Sequence, residues 1–101
     1  MDINIKGPSN FNPDGEASVV SNNWKEWVEE FEAFADSKGI FNLPGDDNAD
    51  KRAQRKALLL YHAGHRVREI YKTLTATGRD EYTATVNALN AHFTVEINVT
   101  F

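Results

Sequence analysis

No cysteine occurs in the 101 residues. Disulfides, thiolate zinc sites, iron–sulfur clusters and cysteine nucleophiles are therefore excluded together, and a reducing compartment is expected. Long apolar runs are also lacking. The longest is Ala57 to Tyr61, far short of the roughly 18 residues of a membrane span, so no membrane partner is expected. Met1-Asp2-Ile3-Asn4 opens acidic without an apolar stretch, unlike a secretory leader. There is no surplus of positive charge: the net value of −4 argues against a general nucleic-acid binder. Nor does the sequence hold a glycine-rich phosphate loop, a Ser-His-Asp set, an aspartic-protease triplet or a CCHC zinc knuckle. No enzyme activity and no cofactor are expected.

What remains is one small globular domain. A chain of this length supports a single modest core, and the apolar fraction of 41% separates it from a disordered one. Its charge is unevenly placed. From Asp14 to Asp50 ten acids face two lysines, a net −8; from Lys51 to Lys72 seven bases face Glu69 alone, a net +6. Two readings follow. The solvated faces of neighbouring helices neutralise each other within one bundle, or acid and base lie on different sides and attract other copies.

Residues 1–22 carry Gly7, Pro8, Pro13 and Gly15 among Asn and Ser, which reads as an irregular segment. Ile3 and Ile5 alternate with polar residues as in a short strand, and Phe11, Val19 and Val20 suggest contact with the core. A helix is expected from Asn23, with Glu26 completing a capping box. Trp24, Trp27, Val28, Phe31, Phe34 and Ala35 then fall on one helical face. Gly39 ends this helix, and Ile40 folds back on it. A turn-rich loop around Pro44-Gly45-Asp46-Asp47 follows, with Asn48 or Asp50 as the next cap. The second helix spans about Lys51 to Ala63. Ala53, Ala57, Leu58, Leu60, Tyr61 and Gly64 are expected on one side and Lys51, Arg52, Arg55, Lys56 and His62 on the other; Leu59 falls near the basic side, so burial on more than one face is expected late in the helix.

Gly64 interrupts the pattern and predicts a kink or tight turn. Val67, Ile70, Tyr71 and Leu74 form the next stripe. A fourth helix, capped by Asp80, carries Tyr82, Val86, Leu89 and Phe93; the β-branched run after it reads as extended. The expected core comprises Trp24, Trp27, Phe31, Phe34, Leu58, Tyr61, Val67, Ile70, Tyr71, Leu89 and Phe93, an all-α orthogonal bundle of four main helices. Two clusters resemble metal sites only superficially. His62, His65 and Glu69 lack the spacing of a metalloprotease helix. Asp46, Asp47 and Asp50 lack the glutamate twelve positions along that a calcium loop needs, since Ala57 stands there. No metal is expected.

The ordered motifs carry a resemblance. Asn23-Trp24 … Trp27 … Phe31-Glu32-Ala33-Phe34 is similar to the opening capsid helix of gypsy-type LTR-retrotransposon Gag proteins. Lys56-Ala-Leu-Leu-Leu-Tyr-His-Ala-Gly64 resembles that family's "ALLLhlaG" helix, and Val67-Arg-Glu-Ile-Tyr71-Lys-Thr-Leu74 its "alEIYnTL". Tyr82 … Val86 … Leu89-Asn-Ala-His-Phe93 resembles the helix that follows, Asn98-Val99 … Phe101 the start of the linker to a second capsid domain, and Pro8 … Phe11 the lead-in. The resemblance implies a retroviral-capsid-like N-terminal capsid domain over residues 23–93, an irregular segment at 1–22 and a linker from residue 94. It implies self-assembly into the pentamers and hexamers of a particle shell in the cytoplasm, with RNA enclosed through other Gag regions rather than bound here. Domesticated Gag derivatives, Arc-like proteins among them, imply an alternative: an interaction module that binds a peptide ligand or dimerises without forming particles. From the charge pattern, the expected assembly contacts place Glu26, Glu29, Glu30 and Asp36 of one subunit against Arg52, Arg55, Arg66 and Arg68 of the next.

Overall fold

A computed structural model describes residues 6–74 and 82–94. Four α-helices follow in order: α1 (Ala17–Ser37), α2 (Ala49–Ala63), α3 (His65–Thr73) and α4 (Tyr82–Phe93), with a 3-10 turn at Asp46–Asn48 before α2. No strand occurs among the described residues. The chain is an all-α bundle, α1 packing on α4 and α2 on both α3 and α4. The strand around Ile3 and Ile5, the Asp80 cap and the extended run from Val95 to Phe101 all lie outside the described residues.

Helix α1 starts six residues earlier than its sequence suggests. Gly15, at φ +117°, turns the chain, Glu16 is extended, and Val20 N–H closes the first helical turn on the Glu16 carbonyl. Ala17-Ser-Val-Val-Ser-Asn22 is a weak helix former. Val20, however, lies four and seven residues before Trp24 and Trp27 on the same face, and all three are buried. Burial decides what propensity leaves open. Asn23 thus stands inside the helix, exposed, and caps nothing. The other end follows the expectation: Gly39 adopts φ +75°, and the amides of Gly39 and Ile40 reach the carbonyls of Asp36 and Ala35 at 3.0 Å each. These are the paired bonds of a Schellman stop. Before α2, Asn48 occupies the cap position, but its side-chain amide donates to the Pro44 carbonyl instead of capping the helix.

Helix α2 is rolled relative to its predicted orientation. Arg55, Leu59 and Ala63, at intervals of four, face the interior. Leu58 and Leu60 flank that stripe half-buried, and Tyr61 points outward, 70% exposed. Gly64, at φ +99°, both ends α2 and starts α3, a left-handed corner that glycine adopts without strain. Val67 anchors α3 inward, with Ile70, Tyr71 and Leu74 half-buried. On α4 the buried positions are Tyr82, Thr85, Leu89 and Phe93; Thr85, not Val86, faces in, and its hydroxyl lies 3.4 Å from that of Tyr71.

The segment before α1 is irregular yet integral. Phe11 is buried among Trp24, Trp27 and Phe93, with ring centroids 5.0, 6.4 and 5.3 Å away. Its amide donates to the Ala63 carbonyl at 2.9 Å, and Trp27 Nε1 donates to the Ser9 carbonyl at 2.6 Å. Trp24 Nε1 donates to Asn90 Oδ1 at 2.7 Å, tying α1 to α4. Both buried indoles thereby keep a hydrogen-bond partner, as burial of that group requires.

Candidate assembly interface

The eight residues expected at subunit contacts divide sharply. Arg55 is not a surface residue: its side chain is 3% exposed. Nη1 donates to Asp36 Oδ1 and to the Ile40 carbonyl, both at 2.7 Å, and Nη2 lies 3.8 Å from Glu32 Oε2. The guanidinium covers the Tyr82 ring at 4.6 Å. Arg55 therefore cannot face a neighbouring copy as expected, whereas Asp36, already paired with it within one chain, stays about half exposed. The physical reason is the roll of α2: a long, delocalised cation can be buried where a carboxylate, a carbonyl and an aromatic face surround it. Burial disfavours the charge on Arg55, but the hydrogen bond to Asp36 and the polar surroundings outweigh this and raise its pKa above the ordinary value. Burial also pushes the Tyr82 phenol well above its usual range; the nearby Glu32 charge adds to the shift and Arg55 opposes it.

Arg66 is exposed and forms a two-pronged pair with Asp14, Nη2 to Oδ1 at 2.6 Å and Nη1 to Oδ2. The hydrogen bond from Arg66 holds the Asp14 carboxyl below the ordinary aspartate range. Arg52 Nη1 bridges the carbonyls of Leu43 and Gly45 at 2.6 and 2.8 Å, bracing the loop before α2. Arg68 Nη1 reaches the carbonyls of Leu60 and Tyr61 at 2.9 and 3.2 Å, at the C-terminal end of α2, where a cation is favoured. Two of the seven bases between Lys51 and Lys72, Arg55 and Arg66, thus meet acids of the preceding segment inside the chain.

Glu26, Glu29 and Glu30 behave differently. All three are exposed on α1, and none joins an ion pair among the described residues. Glu26 and Glu30 line a groove of about 300 Å³ between α1 and the segment before it, with Asn10, Asn23 and Trp27. A second, more apolar cleft of about 250 Å³ lies between Pro13, Ala17 and Val20 on one side and Ile70 and Phe93 on the other. Among the described residues, Val19, Phe41, Leu43 and Tyr61 are the large apolar side chains left exposed.

The histidines do not converge. His62 lies against the Phe34 and Phe31 rings, at 5.0 and 6.4 Å, whereas His65 is exposed with Nδ1 3.8 Å from Glu69 Oε1. Among the described residues no group of three potential ligands is placed to hold a metal, and no helix is long and apolar enough to cross a membrane.

Sequence reasoning missed the inward turn of Arg55 and the exposure of Tyr61. The signal was present in the four-residue spacing of Arg55, Leu59 and Ala63, masked because arginine is so rarely a core residue. Compared with protein-family models, curated proteins and solved structures, the chain matches none.

Proposed function

We propose that this domain is structural: a Gag-type N-terminal capsid domain whose copies assemble into the pentamers and hexamers of a particle shell around RNA. The observation that carries this reading is the coincidence of motifs and elements. The Trp24–Phe34 motif lies within α1, the Lys56–Ala63 run within α2 and stops at Gly64, the Val67 motif occupies α3, and Tyr82–Phe93 is α4. A small bundle that leaves many carboxylates and several apolar side chains facing solvent is suited to weak, repeated contacts, whose number supplies the stability of a shell. Electron microscopy of the gene's full translation product at high salt tests the reading. Closed particles are expected, and dispersed monomers under all salt conditions overturn it.

The apolar cleft between α1, α3 and α4 favours a second reading, a Gag-derived module that docks a peptide without forming particles. A soluble monomer that captures an extended apolar peptide, with chemical-shift changes at Ala17, Val20 and Ile70, distinguishes it.

A further inference from the structure

The structure leaves two complementary features unused within the chain. On α1, Glu26 and Glu30 stand one turn apart and repel each other, with Glu29 beside them and no cation paired to any of the three among the described residues. They border a groove whose wall includes Trp27 and whose volume, about 300 Å³, is at the lower end for a binding pocket. At the far end of α2, Tyr61 is the most exposed large hydrophobic side chain described, at 70%. Arg68 is fixed beside it by its bonds to the Leu60 and Tyr61 carbonyls, both made through Nη1. Nη2 and Nε of Arg68 have no acceptor among the described residues.

We propose that Tyr61 and Arg68 of one copy of this chain dock into the Glu26–Glu30 groove of a second copy. The inference rests on the self-assembly reading and names the contact. Charge complementarity selects the occupant: the groove offers carboxylates without cations, and the α2–α3 corner offers a guanidinium that no carboxylate hydrogen-bonds. A guanidinium binds carboxylates through two parallel N–H bonds, and Tyr and Arg are both among the residues enriched at the energetic centres of protein interfaces. Arg55 and Arg66 do not compete for the groove, because Arg55 is buried and Arg66 is already paired with Asp14 of its own chain.

Sedimentation velocity on the 101-residue chain up to millimolar concentration tests this. Wild type is expected to associate reversibly. Tyr61→Ala, which removes an exposed ring, is expected to lower the association constant at least tenfold. A Glu26→Arg/Glu30→Arg variant and an Arg68→Glu variant are each expected to stay monomeric alone and to associate when mixed one to one. The mixture restores both the native and the charge-exchanged contact. Circular dichroism establishes that each variant is folded; if Arg68→Glu is not, Arg68→Gln takes its place and its association is expected to fall as that of Tyr61→Ala does. Wild-type association in any of these variants alone, or no association in the charge-exchanged mixture, overturns the contact while leaving self-assembly standing. A wild type that is monomeric at every concentration overturns both.

Discussion

Replacing Arg55 with alanine removes a cation that joins three helices and a loop: Asp36 on α1, the Ile40 carbonyl after it, and the Tyr82 ring on α4. The carbonyl loses a charge-assisted hydrogen bond worth about 1.5–3 kcal/mol. The lost guanidinium–ring contact contributes about 1–2 kcal/mol. Asp36 and Glu32 are about half exposed (55% and 46%), so both regain water and their release costs little. These contributions overlap, and the expected destabilisation is about 2–4 kcal/mol, or a fall in Tm of about 10–25 °C for a domain of this size. Arg55→Met separates packing from charge. It keeps the apolar stem and removes a buried charge whose Nε has no acceptor among the described residues. It loses the same Ile40 hydrogen bond and Tyr82 contact as alanine, so its expected cost is about 2–3 kcal/mol, and any further loss in the alanine variant is the packing of the stem. Urea unfolding of the three proteins gives the comparison. An alanine variant within about 0.5 kcal/mol of wild type refutes the anchoring role and returns Arg55 to the surface set.

Phe31, fully buried beside Trp27 and Tyr82, is expected to cost about 3–5 kcal/mol as Phe31→Ala, read from the same unfolding curves. Gly64→Ala forces a left-handed backbone on alanine and drives its Cβ to within 2.9 Å of the Asn10 side chain; a loss above about 1 kcal/mol is expected, and none would mean that the corner relaxes freely. Asp14 has a lowered folded pKa, so the stability its pair contributes is complete above the unfolded aspartate value and is lost as pH falls through the folded one. Carboxyl NMR should show Asp14 titrating below free aspartate, and Arg66→Ala should bring it back. RNA binding at physiological salt, followed by fluorescence anisotropy, is expected to be weaker than micromolar; sub-micromolar binding abolished by Lys51→Ala with Arg68→Ala would refute that.

Helix punctuation was legible where glycine carried it. Gly39 and Gly64 mark their corners in the sequence because no other residue takes positive φ so readily. The aromatic stripe of α1 was equally plain. Its true start was hidden because the Val19-Val20 stretch argues locally against helix and only the buried contact of Val20 favours it. The face of α2 was misread for a related reason. Hydropathy places Arg55 outside, and the Asp36 and Ile40 groups that receive it come from 15–19 residues away. For the same reason Arg55 left the expected surface set, and Asp36 meets a cation of its own chain. Glu26, Glu29 and Glu30 remained candidates because no cation among the described residues answers them.

The bond between Trp24 and Asn90 spans 66 residues, and the Phe11 ring meets Phe93 across a still longer stretch. A ribosome adding about 5–20 residues per second takes roughly 3–13 s to make the partner Trp24 requires. Until α4 clears the exit tunnel, the first helix carries its row of aromatic rings uncovered. The nascent chain is thus at its most adhesive before it can be complete, when neighbouring chains on the same message stand close by and chaperones have most to cover.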